Sequence, residues 1–423
     1  MEKMYIPLLK TAKIRKKGNF KDIATCLANL GNPQKKIKTV HIAGTNGKGT
    51  VAHLISKICV CAEFKTGLFT SPHITDVRER IIINEKKLGK KYFSEIFNKV
   101  QKAQKNKLTF FENLTVMSFL AFAEKNVDIA IIETGIGGTK DVTNIIKPIL
   151  SIITSVDFDH KDILGKTLAQ ITKEKAGIIK PKIPSIIGYS GNKAIGLIKN
   201  ISKRKLSPIT IVKNNSVFDY VKTNWKTFKT IMKDKNGKIW ELGLIGKHQV
   251  LNASIAFKAI QELKKSGFKI KLQDIKTAFA KVKICGRFEV IKHKHQNGKI
   301  THFIIDGCHN LNAMEAFVDN YLSAPFAKTK SCLMFSISKD KDYRKIIKLL
   351  AECFENVIIC NSSGRRGLEV KTALKWFKKF NPSINAEAIY KFNTAFSHAT
   401  KYDSVAIAGS FYQAGKILKK LRE

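Results

Sequence analysis

The sequence lacks the features of several common protein classes. None of its eight cysteines forms a Cys-x-x-Cys pair, so neither a zinc ribbon nor a disulfide framework is indicated, and free thiols in a reducing compartment fit better. It contains no run of about 18 apolar residues, so no transmembrane helix is predicted. Its first residues lack the apolar core and cleavage site of a signal peptide. We therefore expect a cytoplasmic protein without a membrane partner.

Acidic residues and arginine are scarce relative to lysine. The chain of 423 residues has 33 Asp and Glu against 76 Lys and Arg, a net charge of +43, and only nine of the basic residues are arginine. A nucleic-acid partner would explain this charge, because lysines that neutralise phosphates release counterions. Sequence-specific readers rely on the bidentate fork of arginine, however, and these lysines are spread along the whole chain. We interpret them as a solvated surface that attracts anionic substrates.

Short β-rich runs that alternate with helical stretches predict an α/β fold with a largely parallel sheet. Continuous apolar runs are typical of strands buried on both faces. The predicted strands are 38–44, 128–135 and 149–156, and the predicted helices are 50–62, 165–179 (ending near Gly177) and 248–267 (closed by Gly267).

The composition changes over about 190–245, where Lys, Asn, Thr and aromatic residues alternate. This pattern predicts small antiparallel strands, with a hairpin turn at Asp234–Gly237. A second α/β unit is predicted after Arg287. The boundary falls in an exposed turn near 286–300, which gives domains 1–289 and 290–423.

His293 and His295 lie in that boundary turn, and a pair of histidines can ligate a metal. No carboxylate or thiol lies near them in the sequence. We interpret the segment as a solvated hairpin.

The strongest local signal is the segment 44–50, GTNGKGT, between a predicted strand and a predicted helix. Glycines let backbone N–H groups turn toward an anion, and a helix N-terminus adds positive potential. In a nucleotide site of this kind, Lys48 can reach the β- and γ-phosphates. The Thr50 hydroxyl then lies close to a phosphate or to the metal ion. The match to the GxxxxGK[ST] phosphate loop is imperfect, because Ile42 occupies the first glycine position and Gly49 is inserted. An ordinary Gly-rich turn is the alternative.

GTNGKGT is the phosphate-loop variant of the Mur ligase superfamily, and the chain resembles the dihydrofolate synthase/folylpolyglutamate synthase family within it. Ten further motifs occur in the family's order, one before this loop and nine after it. They are LGNPQ (30–34), TSPH (70–73), RERI (78–81), LTFFENLT (108–115), ETGIGGTKDVTN (133–144), DFDHKDILGKTLAQITKEKAGIIKP (157–181), GKHQVLNA (246–253), GRFE (286–289), DGCHN (306–310) and GSFY (409–412). The resemblance implies a large N-terminal phosphate-loop domain with a mostly parallel sheet and a smaller C-terminal α/β Rossmann-like domain.

The resemblance also implies which residues bind ATP and Mg²⁺. Arg287 would contact phosphate and Asp306 would accept from ribose hydroxyls. Ser71, Glu133 and His160 are the implied metal ligands. Taken alone, Ser71 would be part of a turn, Glu133 an N-cap or salt-bridge residue, and His160 a core histidine. The full implied ATP set is Thr45, Asn46, Gly47, Lys48, Gly49, Thr50, Asn252, Arg287 and Asp306.

Three residues carry an implied catalytic role: Lys48, Lys175 and His309. The family carries the counterpart of Lys175 as a carbamate. An unmodified lysine would repel a neighbouring magnesium ion, whereas the carbamate is an anion with two oxygens. Without the resemblance, Lys175 would be a helix-surface lysine, which is how we interpret Lys173.

The implied pterin-binding positions are aromatic, acidic and apolar. A flat ring stacks on phenylalanine, and a carboxylate accepts pterin N–H groups. A role in the apolar core is the alternative for the phenylalanines. The positions are Phe110, Phe111, Glu112, Asp141 and Val142.

Three residues depart from the family pattern. Thr139 stands where the family usually has arginine, so one basic contact of that loop is missing. Cys285 replaces proline and Cys308 replaces alanine, which are small changes.

The implied reaction is ATP-dependent ligation of L-glutamate to dihydropteroate, a folyl glutamate, or both, through an acyl phosphate. The implied partners are these small molecules, and we expect a monomer. One alternative is another amino-acid ligase of the superfamily that acts on a cell-wall nucleotide precursor. A second, of a different class, is a nucleic-acid-associated phosphate-loop ATPase, although no RNA-recognition signature is present.

Overall fold

The computed structural model describes residues 20–361 and 366–422, which form three β-sheets with associated helices. Within those residues, no helix combines the length and apolar character needed to span a membrane. All eight cysteines lie in the described ranges as free thiols, as predicted.

The first sheet has eight strands in the order β4-β3-β2-β5-β1-β6-β7-β8. The six from β2 to β8 in this order run parallel, and β3 and β4 are antiparallel additions at one edge. The strands are β1 Thr39–Ala43, β2 Thr66–Phe69, β3 Ile81–Ile83, β4 Lys86–Lys87, β5 Ile129–Glu133, β6 Leu150–Ile153, β7 Ser185–Gly188 and β8 Ile209–Val212.

Helices cover both faces of this sheet, so its central strands are buried along their whole length. The helices are α1 Phe20–Asn29, α2 Lys48–Cys61, α3 Lys90–Ala103, α4 Phe110–Glu124, α5 Lys161–Leu164, α6 Leu168–Ala176, α7 Asn192–Arg204, α8 Lys247–Lys265 and α9 Leu272–Lys281. Short 3₁₀ helices lie at Pro33–Lys36, Val77–Arg80 and Val142–Ile145. Val40 and Ile42 of β1 pack with α2, α8 and α9, whereas Ala130 and Ile132 of β5 pack with α1, α3 and α4.

Local signals place the helices that carry the candidate site. The predicted helix 50–62 begins two residues early, at Lys48, because Gly47 adopts a left-handed conformation (φ 84°) as its N-cap. Helix α6 is shorter than predicted. Thr167 and Gln170 form a capping box at its start, and Gly177 follows its last residue.

A second, antiparallel sheet has the order β11-β10-β9, with strands β9 Phe218–Asn224, β10 Lys229–Asp234 and β11 Ile239–Leu242. The predicted hairpin turn is confirmed, since Gly237 N donates to Asp234 O at 3.0 Å. The prediction of antiparallel strands over about 190–245 was wrong for the residues up to Val212. Residues 192–204 form α7, whose apolar side chains Ala194, Ile195 and Ile198 recur at helical spacing, and β8 joins the parallel sheet.

The third sheet has the order β12-β13-β17-β14-β15-β16, and only β12 is antiparallel to its neighbour. Its strands are β12 Glu289–Lys294, β13 Ile300–Ile305, β14 Ser331–Phe335, β15 Asn356–Cys360, β16 Asn385–Ile389 and β17 Ser404–Ala408. Its helices are α10 Leu311–Leu322, α11 Tyr343–Cys353, α12 Val370–Phe380, α13 Phe392–Ala399 and α14 Phe411–Arg422, with a 3₁₀ helix at Pro325–Lys328.

The chain therefore combines a large, mostly parallel α/β unit with a smaller C-terminal α/β unit, as predicted. We keep 1–289 and 290–423 as the proposed domain limits, since β12 of the third sheet begins at Glu289. The predicted boundary turn is shorter than expected, because His293 lies in β12 and pairs with Thr301 of β13. His295 follows in the turn, and its ring bonds Thr301 Oγ1 at 2.9 Å.

Candidate active site

The predicted site residues lie beyond the carboxyl ends of strands from both large sheets. The segment 44–50 follows β1, Glu133 ends β5, and His160 lies beyond β6. Asp306 and His309 follow β13 of the third sheet. Ligands of α/β proteins bind at such carboxyl ends.

The segment 44–50 forms a turn that is anchored to the chain beyond β6. Thr45 Oγ1 accepts from Asp157 N at 2.9 Å and donates to Asp157 O at 3.0 Å. Asn46 N donates to Ser155 Oγ at 2.9 Å. Thr50 is buried in the first turn of α2. These bonds fix the loop conformation independently of any bound group.

Asn252 of α8 lies against this loop. A Cβ added at Gly47 would come 2.4 Å from Asn252 Oδ1, so only glycine fits there. Asn252 Nδ2 donates to Gln249 Oε1 at 2.8 Å, which orients the amide oxygen toward the loop.

Two lysines converge on one carbonyl of the loop. Lys48 Nζ donates to Gly44 O at 3.0 Å and to Thr45 O at 3.2 Å, and Lys175 Nζ donates to Gly44 O at 2.7 Å. Lys175 is only 3% exposed. Its burial, together with the nearby Lys48, lowers the pKa of Lys175 to about 7. A substantial fraction of its amine is therefore unprotonated at neutral pH.

Glu133 is a buried carboxylate that faces three cations. Burial raises its pKa, whereas Lys48, the Ser71 N–H (3.1 Å from Oε2), Arg287 and Arg80 act in the opposite direction. The hydrogen bond brings two of the three predicted metal ligands together.

His160, the third predicted ligand, lies in the turn before α5 with a left-handed backbone (φ 48°). Burial lowers its pKa to about 4, and Lys48 is close enough to contribute, so the imidazole is neutral at pH 7. Across the part of the chain that the structure describes, no three His, Cys, Asp or Glu side chains gather in a group that could hold a metal ion. The predicted metal ligands are one serine, one glutamate and one histidine, so only two of them belong to these four residue types.

Arg287 approaches the phosphate loop from the segment just before β12. A Cβ added at Gly49 would lie 3.4 Å from Glu133 Oε2 and 4.0 Å from Arg287 Nη2. The guanidinium lies over the Phe411 ring, 4.9 Å from its centroid. A planar guanidinium held in this way is suited to bidentate contact with phosphate.

Asp306 and His309 are both held by backbone groups. Phe288 N and Cys308 N donate to the two carboxylate oxygens of Asp306 at 2.8 Å each. His309 Nδ1 lies 2.9 Å from Gly307 O. Because a carbonyl only accepts, Nδ1 carries the proton and Nε2 keeps its lone pair. Burial lowers the pKa of His309 to about 4, which favours this neutral form.

Hydrogen bonds and an ion pair join the two α/β units at the site. Asn310 Nδ2 donates to Asn46 Oδ1 at 2.9 Å, and Asn46 Nδ2 donates to Asn310 Oδ1 at 3.3 Å. Lys341 Nζ pairs with Asp159 Oδ1 at 2.7 Å. The phosphate loop is therefore bonded directly to the N-cap residue of α10 in the C-terminal unit.

Phe110 and Phe111 begin α4 and are partly buried. The Phe111 ring lies against Gly135, where an added Cβ would come 2.7 Å from it, and 5.7 Å from the Phe69 ring centroid. The Arg80 guanidinium lies 5.2 Å from the Phe110 ring centroid. The two rings thus border the Gly-rich turn after β5.

The predicted pterin-binding carboxylates have partners within the protein. Glu112 Oε2 accepts from Thr109 N at 2.7 Å in the capping box of α4. Asp141 accepts from Ile136 N, Thr143 N and Thr143 Oγ1. A carboxylate has about four acceptor positions, so most of those of Asp141 are filled. Val142 is buried beside it.

Comparison with known proteins identifies the family. Residues 42–260 match the family model described as the Mur ligase middle domain. The chain is 30% identical over 407 residues to the dihydrofolate synthase/folylpolyglutamate synthase of Bacillus subtilis, with 94% of this chain and 93% of that protein covered. The chain belongs to the dihydrofolate synthase/folylpolyglutamate synthase family of the Mur ligase superfamily.

Solved structures from this family share the fold. The folylpolyglutamate synthase of Mycobacterium tuberculosis, complexed with ADP and AMPPCP, has a TM-score of 0.86 and 25% identity, with 96% of each chain covered. The folylpolyglutamate synthase of Thermotoga maritima has a TM-score of 0.83 and 30% identity, with 100% of this chain and 98% of that chain covered.

The departures from the family's motifs have local explanations. Thr139 N and Oγ1 donate to Glu174 O at 2.8 and 3.0 Å, so Thr139 docks the Gly-rich turn onto the last turn of α6, next to Lys175. Cys308 is buried against Met314, with its Sγ 3.5 Å from Met314 Sδ. Cys285 is exposed and accepts from Arg422 at 3.5 Å.

Four residues at the site were given no role from the sequence. His73, Arg80 and Asp159 lie in motifs that resemble those of the family, whereas Lys341 lies in none. Arg80 faces Glu133, and its Nε donates to His73 Nδ1 at 2.9 Å. Asp159 pairs with Lys341. The only available signal for Arg80 was arginine in a chain that otherwise uses lysine. Lys341 is one lysine among many, and no sequence pattern sets it apart.

Proposed function

We propose that this chain is an ATP-dependent ligase that adds L-glutamate to dihydropteroate, to a folyl glutamate, or to both, in folate biosynthesis. The observation that carries the proposal is the position of Gly49 in the phosphate loop, beside Glu133 at the end of β5 and Arg287 just before β12. A phosphate held by this loop is within reach of basic side chains on two sides. The name of the Bacillus subtilis relative supplies the substrates.

ATP is proposed to bind along residues 45–50, Asn252, Arg287 and Asp306. Lys48 lies in the loop, and the Arg287 guanidinium is stacked on Phe411. Both side chains are proposed to offer positive charge near the β- and γ-phosphates. Asp306 holds the turn after Arg287 through Phe288 N and retains acceptor capacity for a ribose hydroxyl.

Ser71, Glu133 and His160 are proposed to hold Mg²⁺. Their chemistry fits a divalent cation: a buried carboxylate, a hydroxyl next to it, and an imidazole that burial keeps neutral. When bound, the ion would offset the negative charge of the phosphates.

Lys175 is proposed to be carbamylated. The unprotonated amine attacks CO₂, a nitrogen–carbon bond forms, one C=O π pair moves onto oxygen, and the nitrogen gives up a proton to solvent. The pKa of about 7 supports this step, because only the free amine is a nucleophile. The resulting anion would lie near Lys48, whose positive charge favours it.

The pterin ring is proposed to bind beside the Gly-rich turn after β5, against the partly buried rings of Phe110 and Phe111, with Val142 buried in the same apolar cluster. Glu112 retains capacity to accept a pterin N–H beyond its capping bond. Asp141 is proposed to support this pocket, because most of its acceptor positions are filled within the protein.

The proposed reaction has two steps. The acceptor carboxylate attacks the γ-phosphorus of ATP and ADP leaves; the glutamate amine then attacks the acyl phosphate and phosphate leaves. Lys48 and Arg287 stabilise the charge of the transferring group. The Nε2 lone pair of His309 is proposed to take the proton that the glutamate amine must lose. The bonds between the two α/β units restrict water that would hydrolyse the acyl phosphate.

We propose that the chain acts as a cytoplasmic monomer. One chain supplies both sides of the site, and its cysteines are free thiols, which suit a reducing compartment.

The decisive experiment incubates the purified protein with ATP, Mg²⁺, L-glutamate and either dihydropteroate or a reduced folate, and follows ADP and the glutamylated product. Product with at least one acceptor is expected. Product only with a cell-wall nucleotide precursor would favour another ligase of the superfamily. ATP hydrolysis stimulated by nucleic acid, and lost steeply with salt, would favour the ATPase alternative.

A further inference from the structure

His41 lies in the middle of the central strand of the first sheet and has no exposed surface. Its neighbours along β1, Val40 and Ile42, are apolar core residues. Burial, with a smaller contribution from Lys180, lowers the pKa of His41 to about 3, so the ring is neutral. Its Nε2 lies 2.8 Å from Thr143 Oγ1.

The hydrogen bonds of Thr143 fix the tautomer of this histidine. Thr143 Oγ1 donates to Asp141 Oδ1 at 2.5 Å. A hydroxyl has one proton, so Thr143 must accept from His41, and the His41 proton is on Nε2. His41 Nδ1 is then a buried acceptor, and among the described residues it has no hydrogen-bond partner.

An apolar side chain would fill this position without leaving a buried acceptor unpaired. What histidine adds is the Nε2–H that orients the Thr143 hydroxyl toward Asp141. The bond from the Thr143 hydroxyl is one of three that the Asp141 carboxylate accepts.

Asp141 in turn holds the Gly-rich turn after β5. It accepts at 2.9 Å from the N–H of Ile136, the residue that follows Gly135. The Phe111 ring lies directly against Gly135. The chain of bonds therefore runs from the sheet core to the surface that faces the phenylalanine rings.

We propose that His41 is a positioning residue that fixes the wall of the pterin pocket through Thr143 and Asp141. The proposal deepens the proposed function and rests on it for the identity of the pocket. The metal-binding side of the turn is anchored separately, because Thr134 N donates to Ile42 O at 2.9 Å and holds Glu133 in the sheet. Loss of the chain of bonds should therefore weaken acceptor binding and leave ATP binding in place.

Thr143→Val and Thr143→Ser form a matched pair. Valine keeps the shape and the backbone N–H but removes the hydroxyl, whereas serine retains it. Thr143→Val is expected to raise the KM for the pterin acceptor by about tenfold, with the KM for ATP and the Mg²⁺ requirement unchanged. Thr143→Ser should match the parent. The proposal would be overturned if both variants had the same KM for the pterin acceptor and Thr143→Val only lowered the melting temperature.

His41 is tested by the pair His41→Leu and His41→Gln, since glutamine restores an N–H donor. His41→Leu should also raise the KM for the pterin acceptor. Adding Thr143→Val to His41→Leu should cause no further rise, because both changes break the same series of hydrogen bonds. Independent, additive effects would contradict the proposal.

Amide hydrogen exchange separates this proposal from the proposed function. Exchange at Gly135 and Ile136 should be faster in Thr143→Val than in Thr143→Ser, whichever acceptor the enzyme uses. Parent-like exchange at both amides would refute the positioning role even if the ligase activity is established. A parent enzyme inactive with every pterin would refute the function and the pocket together.

Discussion

Lys341 Nζ lies 2.7 Å from Asp159 Oδ1, and the two side chains are each 9% exposed. Lys341 lies in the loop after β14 of the third sheet, whereas Asp159 follows β6 of the first sheet and directly precedes His160. Burial alone would raise the pKa of Asp159, but His160 and Lys341 outweigh it and hold that pKa well below its usual range. The pair therefore ties the C-terminal unit to the segment that carries a proposed metal ligand.

Lys341→Ala should lower kcat/KM for glutamate-dependent ADP formation by roughly 30-fold or more, because it leaves a mostly buried carboxylate without its partner. Steady-state kinetics with saturating ATP would measure this. Lys339→Ala, an exposed lysine of the same loop, is the control and should behave like the parent. A parent-like Lys341→Ala would show that the pair does not assist turnover.

Lys48→Ala should abolish glutamate-dependent ADP formation without unfolding the protein. The Lys48 ammonium donates to two loop carbonyls and the side chain is only partly buried, so its loss should barely shift the melting temperature. Lys57→Ala is the matched control, since Lys57 lies on the same helix and pairs with Glu85 at the surface. Turnover in Lys48→Ala equal to that of the control would rule out the phosphate-loop assignment.

Glu133→Gln and His160→Ala should each raise the Mg²⁺ concentration needed for half-maximal rate and lower the maximal rate, since each removes one proposed ligand. Magnesium titrations of the two variants and of Glu85→Gln, a surface carboxylate, would measure this. Titration curves that overlay the parent in both variants would mean that the metal site lies elsewhere.

The sequence predicted the parts of the site that depend on local chain geometry. A glycine turn between a strand and a helix, or an acidic residue that ends a buried strand, can be recognised from neighbouring residues, as at Gly47 and Glu133. The Thr-x-x-Glu pattern at Thr109 and Glu112 also predicts the capping box that the structure contains, although its family position suggested a pterin contact.

The remainder depends on contacts between distant segments. Lys341 reaches Asp159 across 182 residues, and His41 reaches Thr143 across 102. Neither pair is distinguishable in the sequence from a surface lysine or a core histidine. The hydrogen bonds of Asp141 are not visible in the sequence either, because Ile136 N approaches the carboxylate only once the Gly-rich turn has formed.

Phe111→Ala should raise the KM for the pterin acceptor by about tenfold and leave the KM for ATP unchanged, since the ring borders the proposed pocket. We expect the parent to glutamylate both dihydropteroate and a reduced folate, and the variant should be impaired with each pterin. Phe93→Ala, which removes a fully buried ring, is the control for lost packing. A fall in melting temperature like that of Phe93→Ala, with no change in acceptor KM, would place Phe111 in the core.

Lys175 distinguishes the family mechanism from that of a generic ATPase. A free lysine has a pKa of about 10.4, whereas burial and Lys48 lower that of Lys175 to about 7. Below that pH the amine is protonated and cannot attack CO₂, so the rate should fall as the pH drops through about 7. Bicarbonate should restore activity to protein depleted of CO₂. Rates measured across this range, with and without bicarbonate, would test both expectations.

Substitutions at Lys175 separate the carbamate from a phosphate-binding lysine. If the carbamate is required, Lys175→Ala should be nearly inactive, and acetate should partly restore it by placing an anion in the vacated space. Lys175→Arg should also be inactive, because arginine stays cationic and is not carbamylated. If the ammonium itself binds phosphate, Lys175→Arg should keep substantial activity and acetate should have no effect. High activity of Lys175→Arg would therefore overturn the carbamate and leave the ligase assignment standing, because that assignment rests on the phosphate loop and on family membership.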